Sequence, residues 1–260
     1  MVSRWRPEGV RKSPDHLIVE EPLTIRLDEV TVSTTMRTPG NDFELAVGWC
    51  VTEGLIAPDE VSTVRYCGTG SAVETEFNVV SVQTLRGSGS RGITPRLSVT
   101  SSSCGWCGSD QIDEILARLG PLDESDPIDP QVLAGVPDAV RERQELFGKA
   151  GSVHAAASFD AHGTIGVVQE DVGRHNAVDK VVGALALAGG LPAAGQGLYV
   201  SGRASVEMVH KAWAAGFTTV LSMSAPTALA VKSARTAQIA LAGFITSDEN
   251  GVTRMNLYSP

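Results

Sequence analysis

Two cysteines separated by two residues are the part of this sequence best suited to chemistry. They account for half of the four cysteines in the chain and lie in the run Ser103-Cys104-Gly105-Trp106-Cys107-Gly108. A deprotonated cysteine is both a nucleophile and a metal ligand. Because glycines on both sides leave the thiols accessible, the pair predicts either sulfur chemistry or a metal site.

A zinc site is the first interpretation, and it fits poorly. Structural zinc needs four ligands, and a second pair of this spacing is absent. His154 or His175 would complete three ligands, as in zinc deaminases, but there a histidine and a catalytic glutamate precede the cysteines. In this chain the histidines follow the cysteines, and Ala156 stands where that glutamate is expected. The sequence therefore disfavours a hydrolytic deaminase and predicts no metal site.

Two redox interpretations remain. A thioredoxin-like pair should directly follow a strand of an early βαβ unit, and the glycine- and serine-rich run 86–92 does not match that context. A persulfide carrier needs an accessible thiol of low pKa. Arg86, Arg91 and Arg96, together with the dipole of a helix expected at 111–119, would favour such a thiolate.

A second group of polar residues falls at predicted junctions between strands and helices. The junctions are the runs Gln169–Asn176, Ser201-Gly202-Arg203-Ala204-Ser205 and Ser224-Ala225-Pro226-Thr227. Ligands of open α/β sheets bind beyond the carboxyl ends of strands, and helix N-termini attract anions. The three junctions could converge on a phosphorylated ligand. The plainer alternatives are that Ser224 only caps a helix and that His175 pairs with Asp179 on a helix surface.

The hydrophobic pattern predicts an α/β protein in three parts. A β-rich portion spans residues 1–118 and contains one helix at 41–51. A linker and a helix at 137–147 occupy residues 119–150, and an α/β domain spans residues 151–260. Its strands are expected at 165–169, 198–200, 218–223 and 239–245, and its helices at 176–187, 204–215 and 227–237.

Composition narrows the class of protein. The formal net charge is −9 and 42% of residues are hydrophobic, so a core is available and binding to nucleic acid is not expected. The few cysteines and the polar N-terminus favour a reducing compartment, and no apolar run is long enough to cross a membrane. We expect a cytoplasmic protein.

Taken in order, these runs resemble the FdhD family, the formate dehydrogenase accessory sulfurtransferases. The similarity covers residue 17 to the C-terminus. It includes the cysteine pair, the three junctions, and in the N-terminal half the runs Glu21-Pro22-Leu23, Met36–Ala46 and Glu53-Gly54-Leu55-Ile56.

The resemblance implies a specific activity. Such proteins accept sulfur from a cysteine desulfurase as a persulfide and transfer it to the molybdenum bis(guanine dinucleotide) cofactor, their substrate, before it enters formate dehydrogenase. It also implies a cytidine deaminase-like layered α/β domain and a homodimer. Cys104 would carry the persulfide and Cys107 would be its relay or resolving partner. A noncatalytic chaperone that only holds the cofactor is the alternative.

The resemblance also implies where the cofactor lies. Its guanine nucleotide contacts map to the last predicted strand and the turn after it, here Phe244-Ile245-Thr246-Ser247-Asp248-Glu249. Family members often have an arginine or lysine soon after the phenylalanine, which this chain lacks. The strand-end residues Arg174, His175, Ser201 and Arg203 complete the expected cofactor site. Cys50, where the family tends to have a large apolar residue, is expected in the core, and Cys67 has no expected role.

Overall fold

The computed structural model describes residues 1–67, 71–85, 87, 99–100, 119–247 and 253–259. The described part is a mixed α/β protein, as the sequence predicts. Its strands are β1 Val2–Arg6, β2 Gly9–Ser13, β3 Glu21–Leu27, β4 Val30–Arg37, β5 Val61–Tyr66, β6 Val79–Thr84, β7 Val99–Thr100, β8 His154–Phe159, β9 Ile165–Asp171, β10 Gly197–Val200, β11 Thr219–Ser222, β12 Ala240–Ser247 and β13 Thr253–Ser259.

The described α-helices cover both halves of the chain. They are α1 Asp42–Thr52, α2 Pro130–Arg141, α3 Glu145–Ala150, α4 Arg174–Leu187, α5 Val206–Ala215 and α6 Ala228–Ala237. A single turn of 3₁₀-helix is formed by Pro58–Glu60. None of the helices in the described ranges is long and apolar enough to cross a membrane.

The strands form two large sheets and a separate hairpin. The six-stranded sheet has the order β13-β12-β11-β10-β8-β9, in which β10, β11 and β12 run parallel to one another. The five-stranded sheet has the order β5-β6-β3-β4-β7. Among the strands that the structure describes, β1 and β2 pair only with each other.

One hydrophobic core joins the two sheets through α1 and α4. In β3 the alternate residues Leu23, Ile25 and Leu27 are buried, because successive side chains of a strand point to opposite faces. They belong to the same buried cluster as residues of α4 and of the six-stranded sheet. A second, smaller core lies between α2 and the other face of the six-stranded sheet.

The two central helices approach each other unusually closely at two glycines. A Cβ atom placed on Gly48 of α1 would collide with the backbone carbonyl of Asp179 in α4. A Cβ atom placed on Gly183 of α4 would collide with the backbone of Glu44 in α1. Because neither glycine has a side chain, α1 of the N-terminal half can pack directly against the backbone of α4 in the C-terminal half. The division of the chain into the three predicted parts stays a prediction, as does the cytidine deaminase-like layering.

The helix expected at 137–147 was placed wrongly. Helix α2 begins earlier, where Asp129 accepts a hydrogen bond from the backbone N–H of Gln131 at 2.8 Å and Pro130 occupies the first turn. These are strong signals for a helix start. Pro137 lies inside α2 rather than at its beginning, and α3 follows as a separate helix.

Candidate functional site

A cavity lies where β10 and β11 end and β8 begins. Its volume is about 630 Å³. His154, Tyr199, Ser201 and Met223 line it from the six-stranded sheet, and α2 and α3 cover it from the other side. Because β8 is antiparallel to β10, the start of one strand meets the end of the other, which brings His154 next to Ser201. This is the edge of the sheet at which the sequence predicts a ligand.

Ser201 is fixed by the neighbouring strand. Its Oγ atom accepts a hydrogen bond from the backbone N–H of Ala155 at 2.9 Å and lies 3.4 Å from Nδ1 of His154. Its own backbone N–H donates to the carbonyl of Ala155 at 2.9 Å. The serine hydroxyl and the imidazole therefore act as one polar unit at the cavity wall.

Gly202 lies beside two side chains of the candidate site. A Cβ atom at this position would lie 3.4 Å from Cδ of Arg174 and 3.6 Å from the ring of His154. Arg174 is the first residue of α4, and its Nε atom is buried without a hydrogen-bond partner among the described residues. That N–H group remains available to an anionic ligand at the helix N-terminus.

The two histidines of this region differ in their electrostatic surroundings. Burial lowers the pKa of His154, and the positive charges of Arg174 and His175 lower it further. His154 is therefore predominantly neutral at pH 7. The Nε2 atom of His175 lies 3.8 Å from Oε2 of Glu207 in α5, and the hydrogen bond from His175 lowers the pKa of Glu207 to about 2. Glu207 therefore stays ionised beside His175.

The run from 170 to 180 divides into residues of the site and residues that hold the fold. The carboxylate of Glu170 accepts the backbone N–H groups of Leu146 and Phe147, both at 2.8 Å, and so fixes the start of α3. The carboxylate of Asp171 lies 2.8 Å from the ammonium group of Lys180, and both side chains are buried.

Asp179 does not pair with His175, which corrects that interpretation of their spacing. Its side chain is buried, and its Oδ1 atom lies 2.8 Å from the ammonium group of Lys211 in α5. It also accepts a hydrogen bond from the hydroxyl of Thr52 at 2.7 Å. Of the residues from 170 to 180, Arg174 lies near His154 and His175 lies near Glu207.

Ser224 does not cap a helix, which corrects a second interpretation. The cap of α6 is Thr227, whose side chain accepts the backbone N–H of Ala230 at 3.2 Å. The carbonyl oxygen of Ser224 instead accepts a hydrogen bond from the hydroxyl of Ser222 at 2.6 Å and from the backbone N–H of Phe244 at 3.3 Å. Ser224 thereby ties the end of β11 to β12.

The last predicted contact region begins with a backbone of unusual shape. Phe244 has a φ of 57°, which is rare for a residue with a bulky side chain, and it is 53% exposed. Ile245 is buried in the second core, while Thr246 and Arg203 are exposed. Ser247 is the last residue of β12. A role of these residues in binding the cofactor stays a prediction.

Several site predictions lie outside the described residues. These are Cys104, Cys107, Asp248 and Glu249, and the arginines at 86, 91 and 96. Of the other cysteines, Cys50 is fully buried in the main core, as the sequence predicts, and Cys67 is half-buried. Within the described ranges no cluster of three or more histidine, cysteine or acidic residues is arranged to hold a metal ion.

Two aromatic side chains that line the cavity, Tyr199 and Phe147, were not predicted from the sequence. Tyr199 lies in β10, inside an apolar run that predicts only core, and burial raises its pKa to about 12. The guanidinium carbon of Arg141 lies 3.8 Å from the centre of the Phe147 ring, so the two close the cavity from the side of α2 and α3 as a cation–π pair. Arg141 and Phe147 reach the cavity only because α2 and α3 have the bounds seen in the structure, and the sequence analysis placed a single helix at 137–147 instead.

The chain is thus a mixed α/β protein with a cavity at the strand ends that polar and aromatic side chains line. The model of the FdhD/NarQ family matches residues 18–260, and the chain belongs to that family.

Similar proteins support this family assignment. The sulfur carrier protein FdhD of Streptomyces avermitilis is 41% identical over 99% of this chain and 92% of its own length. That of Corynebacterium efficiens is 42% identical over 92% of this chain and 89% of its own. The fold is similar to a crystal structure from Desulfotalea psychrophila, assigned as a formate dehydrogenase accessory protein. The TM-score is 0.73 at 22% identity, covering 100% of this chain and 95% of the other.

Proposed function

We propose that this protein is a sulfurtransferase that carries sulfur as a cysteine persulfide to the molybdenum bis(guanine dinucleotide) cofactor destined for formate dehydrogenase. The observation that carries the proposal is the cavity at the strand ends, which His154 and Ser201 line and beside which Arg174 lies, in a chain whose sequence also holds the Cys104/Cys107 pair. Relatives named as sulfur carriers match this chain nearly end to end.

The cavity suits a ligand that bears phosphates and flat rings. Arg141 lines the cavity and Arg174 lies beside its rim near His154, and α4 begins at this edge without a side-chain cap on its first N–H groups. Uncapped helix N-termini favour phosphate oxygens. The ring of Phe147 and the apolar side chain of Met223 provide surface for an aromatic base.

The sulfur chemistry is assigned to the cysteine pair. The Cys104 thiolate would attack the terminal sulfur of a persulfide on a cysteine desulfurase. The donor's sulfur–sulfur bond breaks, the desulfurase leaves as a thiolate, and Cys104 gains the sulfur. Attack of the Cys107 thiolate on the inner sulfur would then release hydrosulfide to the molybdenum and leave a disulfide, which an external dithiol reduces. The desulfurase, the cofactor and formate dehydrogenase are thus the proposed partners, with the protein acting in the cytoplasm as a homodimer.

Paired variants separate this function from that of a noncatalytic chaperone. Cys104→Ala should abolish activation of formate dehydrogenase while the variant still copurifies with molybdenum cofactor. Arg174→Gln should do the reverse, lowering cofactor content while the protein still accepts sulfur from a desulfurase. Cys67→Ala serves as the matched cysteine control and should behave as the wild type. Full activation by the Cys104→Ala protein would overturn the sulfurtransferase assignment and favour the chaperone.

A further inference from the structure

The wall of the cavity formed by α2 carries a carboxylate that the fold itself does not use. Asp138 lies in the last turn of α2, where it is exposed and lines the cavity. Among the described residues, no ion pair or hydrogen bond involves its carboxylate. A negative charge near the C-terminus of a helix is also unfavourable for the helix dipole. The stability of α2 therefore does not account for an acidic side chain at this position.

The arginine best placed to neutralise Asp138 has a different partner. Arg141 lies three residues further along α2, a spacing at which opposite charges can pair on a helix. It stacks instead on the ring of Phe147, with its guanidinium carbon 3.8 Å from the ring centre. Within the described ranges it forms no ion pair. Because stacking leaves the N–H groups of a guanidinium unused, they remain available to a ligand in the cavity.

Tyr199 adds a third polar group to the same cavity. Its side chain lines the cavity although the residue is only 4% exposed, and its hydroxyl has no hydrogen bond to another residue that the structure describes. A buried tyrosine hydroxyl usually has a hydrogen-bond partner. Burial raises the pKa of Tyr199 to about 12, and the charges of Arg141 and Asp138 both act on it. The hydroxyl therefore keeps its proton at pH 7 and lies within electrostatic reach of both charged groups.

The three groups match the edge of guanine better than that of adenine. Guanine has N1–H and the 2-amino group as neighbouring donors, and O6 and N7 as acceptors. A carboxylate only accepts hydrogen bonds, a guanidinium only donates them, and a tyrosine hydroxyl can donate. Adenine instead presents an acceptor at N1, which a carboxylate repels. A site that hydrogen-bonds a particular edge rejects analogues that lack it, because its polar groups are then left unpaired.

We propose that Asp138 selects guanine as the base of the nucleotide bound in this cavity. Its carboxylate accepts hydrogen bonds from N1–H and the 2-amino group, while Tyr199 and Arg141 donate to O6 and N7. The inference rests on the proposed function, because the cofactor proposed as the substrate carries guanine nucleotides. It places base recognition at residues other than those that the family resemblance implies. Of the run 244–249, the described residues Phe244 to Ser247 do not line the cavity.

Exchanging the carboxylate for an amide tests the proposal in the full-length protein. Isothermal titration calorimetry measures the binding of GDP, ADP and xanthosine diphosphate to the wild type and to Asp138→Asn. The wild type should bind GDP about ten-fold more tightly than either analogue, or better. Xanthine has a carbonyl oxygen in place of the 2-amino group, so the introduced amide can donate to that oxygen and still accept from N1–H. Asp138→Asn should therefore lose affinity for GDP, gain affinity for xanthosine diphosphate and reverse the preference.

Two further variants separate base recognition from a general effect of charge or folding. Glu142→Gln removes the same charge from an exposed residue that directly follows α2 and is not among the residues that line the cavity. It should leave the preference for GDP unchanged. Tyr199→Phe should weaken GDP binding without any gain for xanthosine diphosphate. A wild type that does not prefer GDP, or an Asp138→Asn protein with unchanged preference, would overturn the assignment.

Sulfur acceptance by the wild-type protein, measured separately, distinguishes this inference from the proposed function. A wild type that takes no sulfur from a desulfurase, together with a reversed preference in Asp138→Asn, would refute the sulfurtransferase and leave the assignment of Asp138 intact. A wild type that takes up sulfur, together with an unchanged preference in Asp138→Asn, would refute only the role of Asp138.

Discussion

The ammonium group of Lys211 lies 2.8 Å from Oδ1 of Asp179, and the two form a buried ion pair between α4 and α5. Thr52 of α1 donates to the same carboxylate oxygen at 2.7 Å and accepts from Lys211 at 2.9 Å. Three helices from both halves of the chain therefore meet at one charge network. Burial alone would lower the pKa of Lys211, but the carboxylates of Asp179 and Glu53 more than offset it and raise that pKa.

Loss of one member of this pair should be more damaging than loss of both. Lys211→Met leaves the Asp179 carboxylate buried without its partner and should lower the free energy of unfolding by about 3–5 kcal/mol. The double variant Asp179→Leu with Lys211→Met removes both charges and should be distinctly more stable than Lys211→Met. Urea unfolding of both proteins checks this. Equal losses in the two would contradict the account of the network.

The glycine contact between α1 and α4 predicts a second stability effect. Gly48→Ala forces a methyl group against the carbonyl of Asp179, and overpacking of this kind costs about 1–3 kcal/mol or more. Gly135 lies in α2, is exposed and has no atom within 4 Å of a would-be Cβ, so Gly135→Ala should stabilise the protein by up to about 1 kcal/mol. Thermal unfolding should move the two variants in opposite directions. A neutral Gly48→Ala would show that the helices are not in close contact there.

The charge of Arg174 should be measurable at His154. After burial, Arg174 is the next largest cause that lowers the pKa of His154. Arg174→Gln should therefore raise that pKa, observed as an upward shift of the His154 imidazole titration by NMR. Arg203→Gln removes the same charge from a neighbouring exposed position and should shift it less. An identical titration in wild type and Arg174→Gln would show that the two side chains do not face each other.

The sign of the accompanying stability change follows from linkage. A histidine whose pKa is lowered in the folded state stabilises the fold above its ordinary value near 6.5, and this stabilisation is lost as the pH falls through the folded pKa. Wild-type stability should therefore decline below pH 6.5 in part because of His154. Arg174→Gln should reduce the His154 contribution to this decline, which unfolding measurements at pH 7 and pH 5 can detect.

Sequence patterns located the elements with strong periodicity or clear end signals. The helix expected at 176–187 is α4, Arg174–Leu187, and the strand expected at 165–169 is β9, Ile165–Asp171. Strand β8 was not predicted because half of His154-Ala-Ala-Ala-Ser-Phe159 is alanine, which is depleted in strands. Strand β13 alternates among polar and apolar residues too irregularly to stand out.

Only part of the candidate site was predictable, because local sequence patterns do not show which distant residues meet. The strand-end residues Ser201 and Arg174 were predicted because ligands bind beyond the carboxyl ends of strands, and in the structure Ser201 lines the cavity and Arg174 lies beside it. Asp171 was expected at a strand-end junction and Asp179 as a surface partner of His175, but the burial of both carboxylates and their lysine partners become visible only in three dimensions. Arg141 lines the cavity from α2, which is distant in sequence from β10 and β11, and no local sequence pattern predicts that contact.

If the cysteine pair carries sulfur, the mass of the protein should increase after incubation with a cysteine desulfurase and cysteine. We expect a gain of one sulfur atom, about 32 Da, on the peptide that contains Cys104 and Cys107. This gain should disappear in Cys104→Ala and persist in the control Cys67→Ala. Absence of the added sulfur, or its persistence in the Cys104→Ala protein, would contradict a role of Cys104 as the sulfur carrier.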